Sequence, residues 1–70
     1  MALTEKVIAS RIKGYMAEHG IKQVFLVDKL DVHSSTVSDW LNGRRGINVI
    51  SYAQICDALD VPLNTFLSER

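Results

Sequence analysis

Apolar residues recur along this chain at spacings of three and four, in short runs that each stop at a residue suited to a sharp turn. That pattern leaves few options. Spacings of three and four gather side chains on one face of an α-helix, whereas a half-buried strand alternates. Ile8, Ile12 and Tyr15 share one face of a first helix, with Thr4 as its N-cap, Leu3 placed to staple onto Ile8, and Gly20 as the left-handed stop. Gly14 weakens that helix. Val24 to Leu30 forms a second, shorter segment that points Leu26, Val27 and Leu30 inward. Asp31-Val32-His33 has the length of a tight interhelical turn, and Asp tolerates the left-handed conformation that such a turn often needs.

Ser34 to Asn42 reads as a third helix of different character. Val37, Trp40 and Leu41 supply its apolar stripe, Ser34, Ser35, Ser38 and Asp39 occupy the other side, and Gly43 closes it. Trp40, three residues after Val37, is explained by packing rather than by ligand stacking. Arg44, Arg45 and Gly46 form a basic loop. Asn48 then caps a fourth helix carrying Val49, Tyr52, Ile55, Cys56 and Leu59. Asp60-Val61-Pro62 breaks the chain again, and Pro62 suits the first turn of a short fifth helix with Leu63, Phe66 and Leu67. The expectation is an all-α fold, with five short helices around one core and a single domain over residues 1–70.

Other classes are excluded by what the chain lacks. A domain of 70 residues buries only about 60% of its unfolded surface, which suits a helical bundle better than an enzyme with a roomy pocket. The single cysteine, Cys56, has no partner for an internal disulfide and no His at metal spacing, so it reads as a small core residue. No Gly-rich phosphate loop, metal-spaced ligand set or carboxylate pair occurs, and Asp31, His33, Ser34 and Ser35 in one string are not a catalytic triad. The chain is therefore read as a non-enzyme without a cofactor or metal. His33 is taken as a turn residue and His19 as a surface residue. With no apolar run of membrane-spanning length and no signal-peptide pattern, a cytoplasmic location without a membrane partner is expected.

The run from Lys22 to Gly43, two short helices joined by a tight turn, resembles the helix-turn-helix of phage repressors. The family is the lambda-repressor-like or Cro/C1 type, and Ala58 to Leu67 is similar to its closing segment, so the resemblance spans Val7 to Leu67. It implies a compact five-helix DNA-binding domain acting in a bacterial cell or a phage-infected host. It also implies residue roles. Gln23 corresponds to the glutamine that opens the second helix and touches the DNA backbone. Ser34, Ser35 and Ser38, with Thr36 beside them, correspond to the recognition helix in the major groove. Asn42, Arg44 and Arg45 correspond to the loop that grips phosphate. The physics is compatible: an α-helix fits the major groove with its N-terminal residues reaching base edges first, and helix N-termini present free N–H groups to phosphate. Serine hydroxyls read permissively because they make no bidentate contact.

Several positions depart from the family's pattern. Val27 stands where Ala is usual, Asp31 where the turn Gly is usual, and Lys22 where an N-cap Ser or Thr is usual, which exchanges a cap for a phosphate-seeking charge. Asp39 lies on the helix meant to meet DNA. It accepts a hydrogen bond from cytosine N4, pairs with a nearby Arg, or repels phosphate. The eight acidic and eight basic residues cancel, so any DNA reading rests on how charge is distributed. Taken alone, the serines would be an ordinary solvated face and the arginines ordinary solubility charge; their position after the turn favours the DNA reading.

Two functions follow. The first is a sequence-specific transcription regulator, a phage or prophage Cro-like repressor acting by operator occlusion. Two subunits would set recognition helices about 34 Å apart on double-stranded DNA. The second is a protein-interaction module on the same fold, antitoxin-like or antirepressor-like. Val24 and Phe25 offer an apolar patch for a partner, or Phe25 tucks over the core edge. A homodimer would form through that patch or through the C-terminal helix around Leu63, Phe66 and Leu67.

Overall fold

In the computed structural model, which describes residues 4–67, the chain forms α1 (Glu5–Glu18), α2 (Gln23–Leu30), α3 (Ser34–Leu41) and α4 (Val49–Leu59), with no strand among the described residues. Thr4 Oγ1 accepts the Val7 N–H at 3.2 Å to open α1, and Asn48 Oδ1 accepts the Ser51 N–H at 2.7 Å to open α4. The stapling role expected of Leu3 lies outside the described residues.

Each helix ends by the same device. Gly20, Asp31, Gly43 and Asp60 adopt φ values of 66°, 54°, 72° and 59°. The next N–H then reaches back across the last turn, from Ile21 to the Met16 carbonyl, Val32 to Val27, Arg44 to Asp39 and Val61 to Cys56. This satisfies carbonyls that a helix end otherwise leaves without partners. Gly43 has a second reason to be glycine, since a Cβ there would lie 3.1 Å from Lys6 Cγ. Asp31 and Asp60 accept the left-handed strain that glycine avoids.

The four helices each send one wholly buried side chain to the centre: Ile12, Leu26, Val37 and Ile55. Burying such a side chain is worth about 1.5–3 kcal/mol. α2 packs against α3 and α4, while α1 packs against α3. Met16, Trp40, Leu41, Tyr52, Cys56, Leu59 and Phe66 complete the core, so Trp40 and Cys56 are packing residues as their spacing predicts. No polar or charged side chain is buried with them among the described residues.

The fifth helix is not formed among the described residues. Pro62 to Leu67 makes successive turns, with the Thr65 N–H on the Pro62 carbonyl at 3.1 Å and the Leu67 N–H on the Asn64 carbonyl at 3.2 Å. Tertiary contacts explain why. Phe66 is drawn into the core edge-on to Tyr15 and Tyr52, the Arg11 guanidinium donates to the Phe66 carbonyl at 3.0 Å, and the Tyr52 hydroxyl donates to the Leu63 carbonyl. Burial pushes the Tyr52 hydroxyl up to about 12, and likewise raises the Cys56 thiol.

Candidate nucleic-acid interface

The direction in which α3 presents its residues follows from its core contacts. Val37, Trp40 and Leu41 fix its inner face. Ser34, Ser35 and Asn42 stand exposed on the outer face, with Ser38 and Asp39 half-exposed beside them and Thr36 half-buried at its edge. The side chains of Ser34 and Ser35 make no hydrogen bond to the described residues, so their donors and acceptors are available to an incoming group. α3 is eight residues long, and its N-cap, His33, supplies no side-chain bond.

The C-terminal end of α3 is organised by a polar network. Asn42 Nδ2 donates to the Ser38 carbonyl at 2.8 Å and to Ser38 Oγ at 3.3 Å. Arg44 Nε donates to Asp39 Oδ1 at 3.2 Å, and Arg44 Nη2 reaches Ser38 Oγ at 3.4 Å. Of the options that the sequence leaves to Asp39, the structure therefore shows an ion pair with Arg44. The backbone reinforces it, because the Arg44 and Arg45 N–H groups both donate to the Asp39 carbonyl. Ser38 Oγ already accepts two hydrogen bonds, so what it retains for a ligand is its O–H donor.

Lys13 of α1 joins the same network, donating to Asn42 Oδ1 at 3.2 Å. Lys6, Ser10 and Lys13 border a shallow cleft whose other wall is Leu41, Asn42 and Gly43. These lysines are absent from the sequence-based site. Their spacing of seven shows a shared polar face of α1, but nothing local shows that this face borders the end of α3. Charge in this neutral chain is thus unevenly placed, with Lys6, Lys13 and Arg44 gathered around one helix terminus. Arg45 is exposed on the same loop, and the Glu5 carboxylate rests against the backbone of Gly46.

α2 begins behind Lys22, which is extended and makes no side-chain cap bond. Lys22 and Gln23 are both exposed at this second bare N-terminus. Asp31 makes the left-handed turn that leads to α3, in place of the family's glycine.

The apolar surface differs from expectation. Phe25 packs against the core, with Lys29 Nζ 5.7 Å above its ring, so the Val24–Phe25 patch reduces to Val24, which is 58% exposed. A larger apolar surface lies elsewhere. Val49 is 83% and Ile50 72% exposed, and Val49 borders a cleft of about 270 Å³ with Ile8, Ile47, Tyr52, Ala53, Leu63 and Leu67. No helix among the described residues is long and apolar enough to cross a membrane.

Comparison with known proteins follows the same lines. No curated protein matches the chain. Among solved structures the fold is similar to that of the clp gene regulator ClgR from C. glutamicum, with a TM-score of 0.85 and 19% sequence identity over 96% of this chain and 87% of that one. The sequence profile of the helix-turn-helix family matches residues 12–66, most of the chain. The chain belongs to the helix-turn-helix family of the Cro/C1 type, the family of DNA-binding transcription regulators.

Proposed function

We propose that this protein is a sequence-specific repressor of the Cro-like kind, which occupies an operator and excludes the transcription machinery from an overlapping promoter. One observation carries the reading: the outer face of α3, with Ser34 and Ser35 exposed and unengaged, adjoins the basic loop of Arg44 and Arg45 on a helix whose opposite face is core. Ser34, Ser35, Ser38 and Thr36 face or flank the bases. Lys22, Gln23, Asn42, Arg44 and Arg45 hold phosphates, with the bare amides of α2 and α3 helping to position the domain. Hydroxyl readout is permissive, so most of the affinity comes from the phosphate contacts. A dimer on a near-palindromic operator supplies the selectivity that one subunit lacks. The exposed apolar cleft lined by Val49, Leu63 and Leu67 supports pairing on the C-terminal side rather than at Val24.

The test is binding to genomic DNA fragments across a salt series, with an Arg44→Ala, Arg45→Ala double variant alongside. The expected result is steep weakening as salt rises, a few fragments retained at physiological salt, and loss of all binding in the folded double variant. If the double variant binds as wild type does, the assigned face is wrong. The second reading, a protein-interaction module, draws on the exposure of Val49 and Ile50. It gains if no fragment binds even at low salt.

A further inference from the structure

We propose that Asp39 acts as an internal stand-in for phosphate, holding Arg44 until a DNA backbone displaces it. This rests on the DNA-binding reading above. Arg44 is the best-engaged cation of the basic loop: Nε on Asp39 Oδ1 at 3.2 Å, Nη2 near Ser38 Oγ at 3.4 Å, and its own N–H on the Asp39 carbonyl at 2.9 Å. The pair is open to solvent, with the Arg44 side chain 65% and the Asp39 side chain 32% exposed. Water screens such a pair, so it is weak enough to be exchanged for a phosphate, which can accept from both Nε and Nη2 where Asp39 accepts from Nε alone. Arg45, its sequence neighbour, has no carboxylate partner among the described residues and is not restrained in this way.

The consequence is a threshold. On any duplex, Arg44 gains a phosphate only by giving up Asp39, and Asp39 is then left unpaired near a polyanion. Non-specific association is therefore penalised. The penalty is the same on every duplex, so overall affinity falls, and the difference between sites is left to the contacts that Ser34 and Ser35 make. Counterion release changes with it. An Arg already neutralised by Asp39 condenses no net charge onto DNA when the two exchange, so Arg44 adds little to the salt dependence until Asp39 is removed.

The experiment uses the full chain and a labelled mixed-sequence DNA duplex, titrated across a salt series. Wild type, Asp39→Asn, Arg44→Ala and the double variant are compared, with circular dichroism confirming that each is folded. Asparagine keeps the size and an oxygen for Arg44 Nε, removes the charge, and turns the second oxygen into an amide donor. The expected result is several-fold tighter binding of Asp39→Asn at low salt. The slope of log K against log salt should steepen by about 0.9, the value of one phosphate contact, and both effects should be much smaller when Arg44 is alanine, where only the repulsion of an unpaired carboxylate is removed. If the gain is undiminished in the Arg44→Ala background, Asp39 merely repels DNA and the proposal fails. If Asp39→Asn leaves affinity and slope unchanged, or weakens binding, the proposal fails as well and Asp39 is not a competitor for phosphate. If wild type and all variants fail to bind the duplex at low salt, the DNA-binding reading itself falls and takes the proposal with it.

Discussion

α1 and α4 begin with a side chain folded over their first amides, Thr4 and Asn48 respectively, whereas α2 and α3 begin bare behind Lys22 and His33. The two capped helices are also the longer ones and supply most of the core. The two uncapped helices form the helix-turn-helix. A missing cap leaves N–H groups unsatisfied and forgoes about 1 kcal/mol per helix, so a chain with little core to spare has reason to cap every helix. Capping only the scaffold pair leaves two positive helix ends available to an anion.

The contrast is broken most severely at the point where the reading pair depends on the scaffold. Leu26→Ala removes the wholly buried side chain of α2 and should cost about 2–5 kcal/mol, a large part of what a domain this size possesses. Thermal denaturation checks it. Ser35→Ala, on the exposed face of the neighbouring helix, should change stability by no more than about 0.5 kcal/mol in the same assay. Equal losses at both positions would erase the distinction.

A smaller effect separates the pairs by pH. Tyr52 of α4 titrates at about 12 in the folded chain against 10.0 unfolded, because burial disfavours its charged form. Its contribution to stability is therefore complete below pH 10 and is lost as pH rises toward 12, at a rate of up to about 1.4 kcal/mol per unit. Denaturation followed from pH 9 to 12 should show this limb, with Cys56 adding to its start, and Tyr52→Phe should flatten the part above pH 10.

The smallest effects sharpen the comparison best, because they have opposite signs. Asn48→Ala should destabilise by about 1 kcal/mol and leave DNA affinity nearly unchanged. Lys22→Ser should stabilise by about 0.5–1 kcal/mol and weaken DNA binding, by covering a helix end and removing a cation. A Lys22→Ser protein that is more stable and binds as tightly as wild type would mean that the bare end of α2 has no part in DNA binding.

Features encoded within a few residues were legible in the sequence. Thr4 and Asn48 announced their caps, Gly20, Asp31 and Gly43 their left-handed turns, and the period of three to four the inner face of α3, whereas in α1 it passed over the buried Ala9 and Met16 and in α4 it included the exposed Val49. The pairing of Asp39 with Arg44, five residues apart, was among the options. Features that depend on distant parts of the chain were not legible. Pro62 to Leu67 has the residues of a short helix, yet its carbonyls are claimed by Arg11 and Tyr52, and the first of these is 55 residues from Phe66. Lys13 meets Asn42 across 29 residues, which no local pattern reveals. Phe25 offered two readings, and only packing against the core cluster separates a core-edge ring from a surface one.

Cys56 is the only thiol in the chain, and it is 1% exposed. A modifying reagent reaches it only when the core opens, so its labelling rate counts openings in native buffer, without denaturant or heat. DNA that binds the folded state alone must slow that labelling in proportion to its occupancy, whichever bases it contacts. The same sulfur thus serves as a chemical clock for the fold and, indirectly, as a gauge of how firmly any duplex holds it.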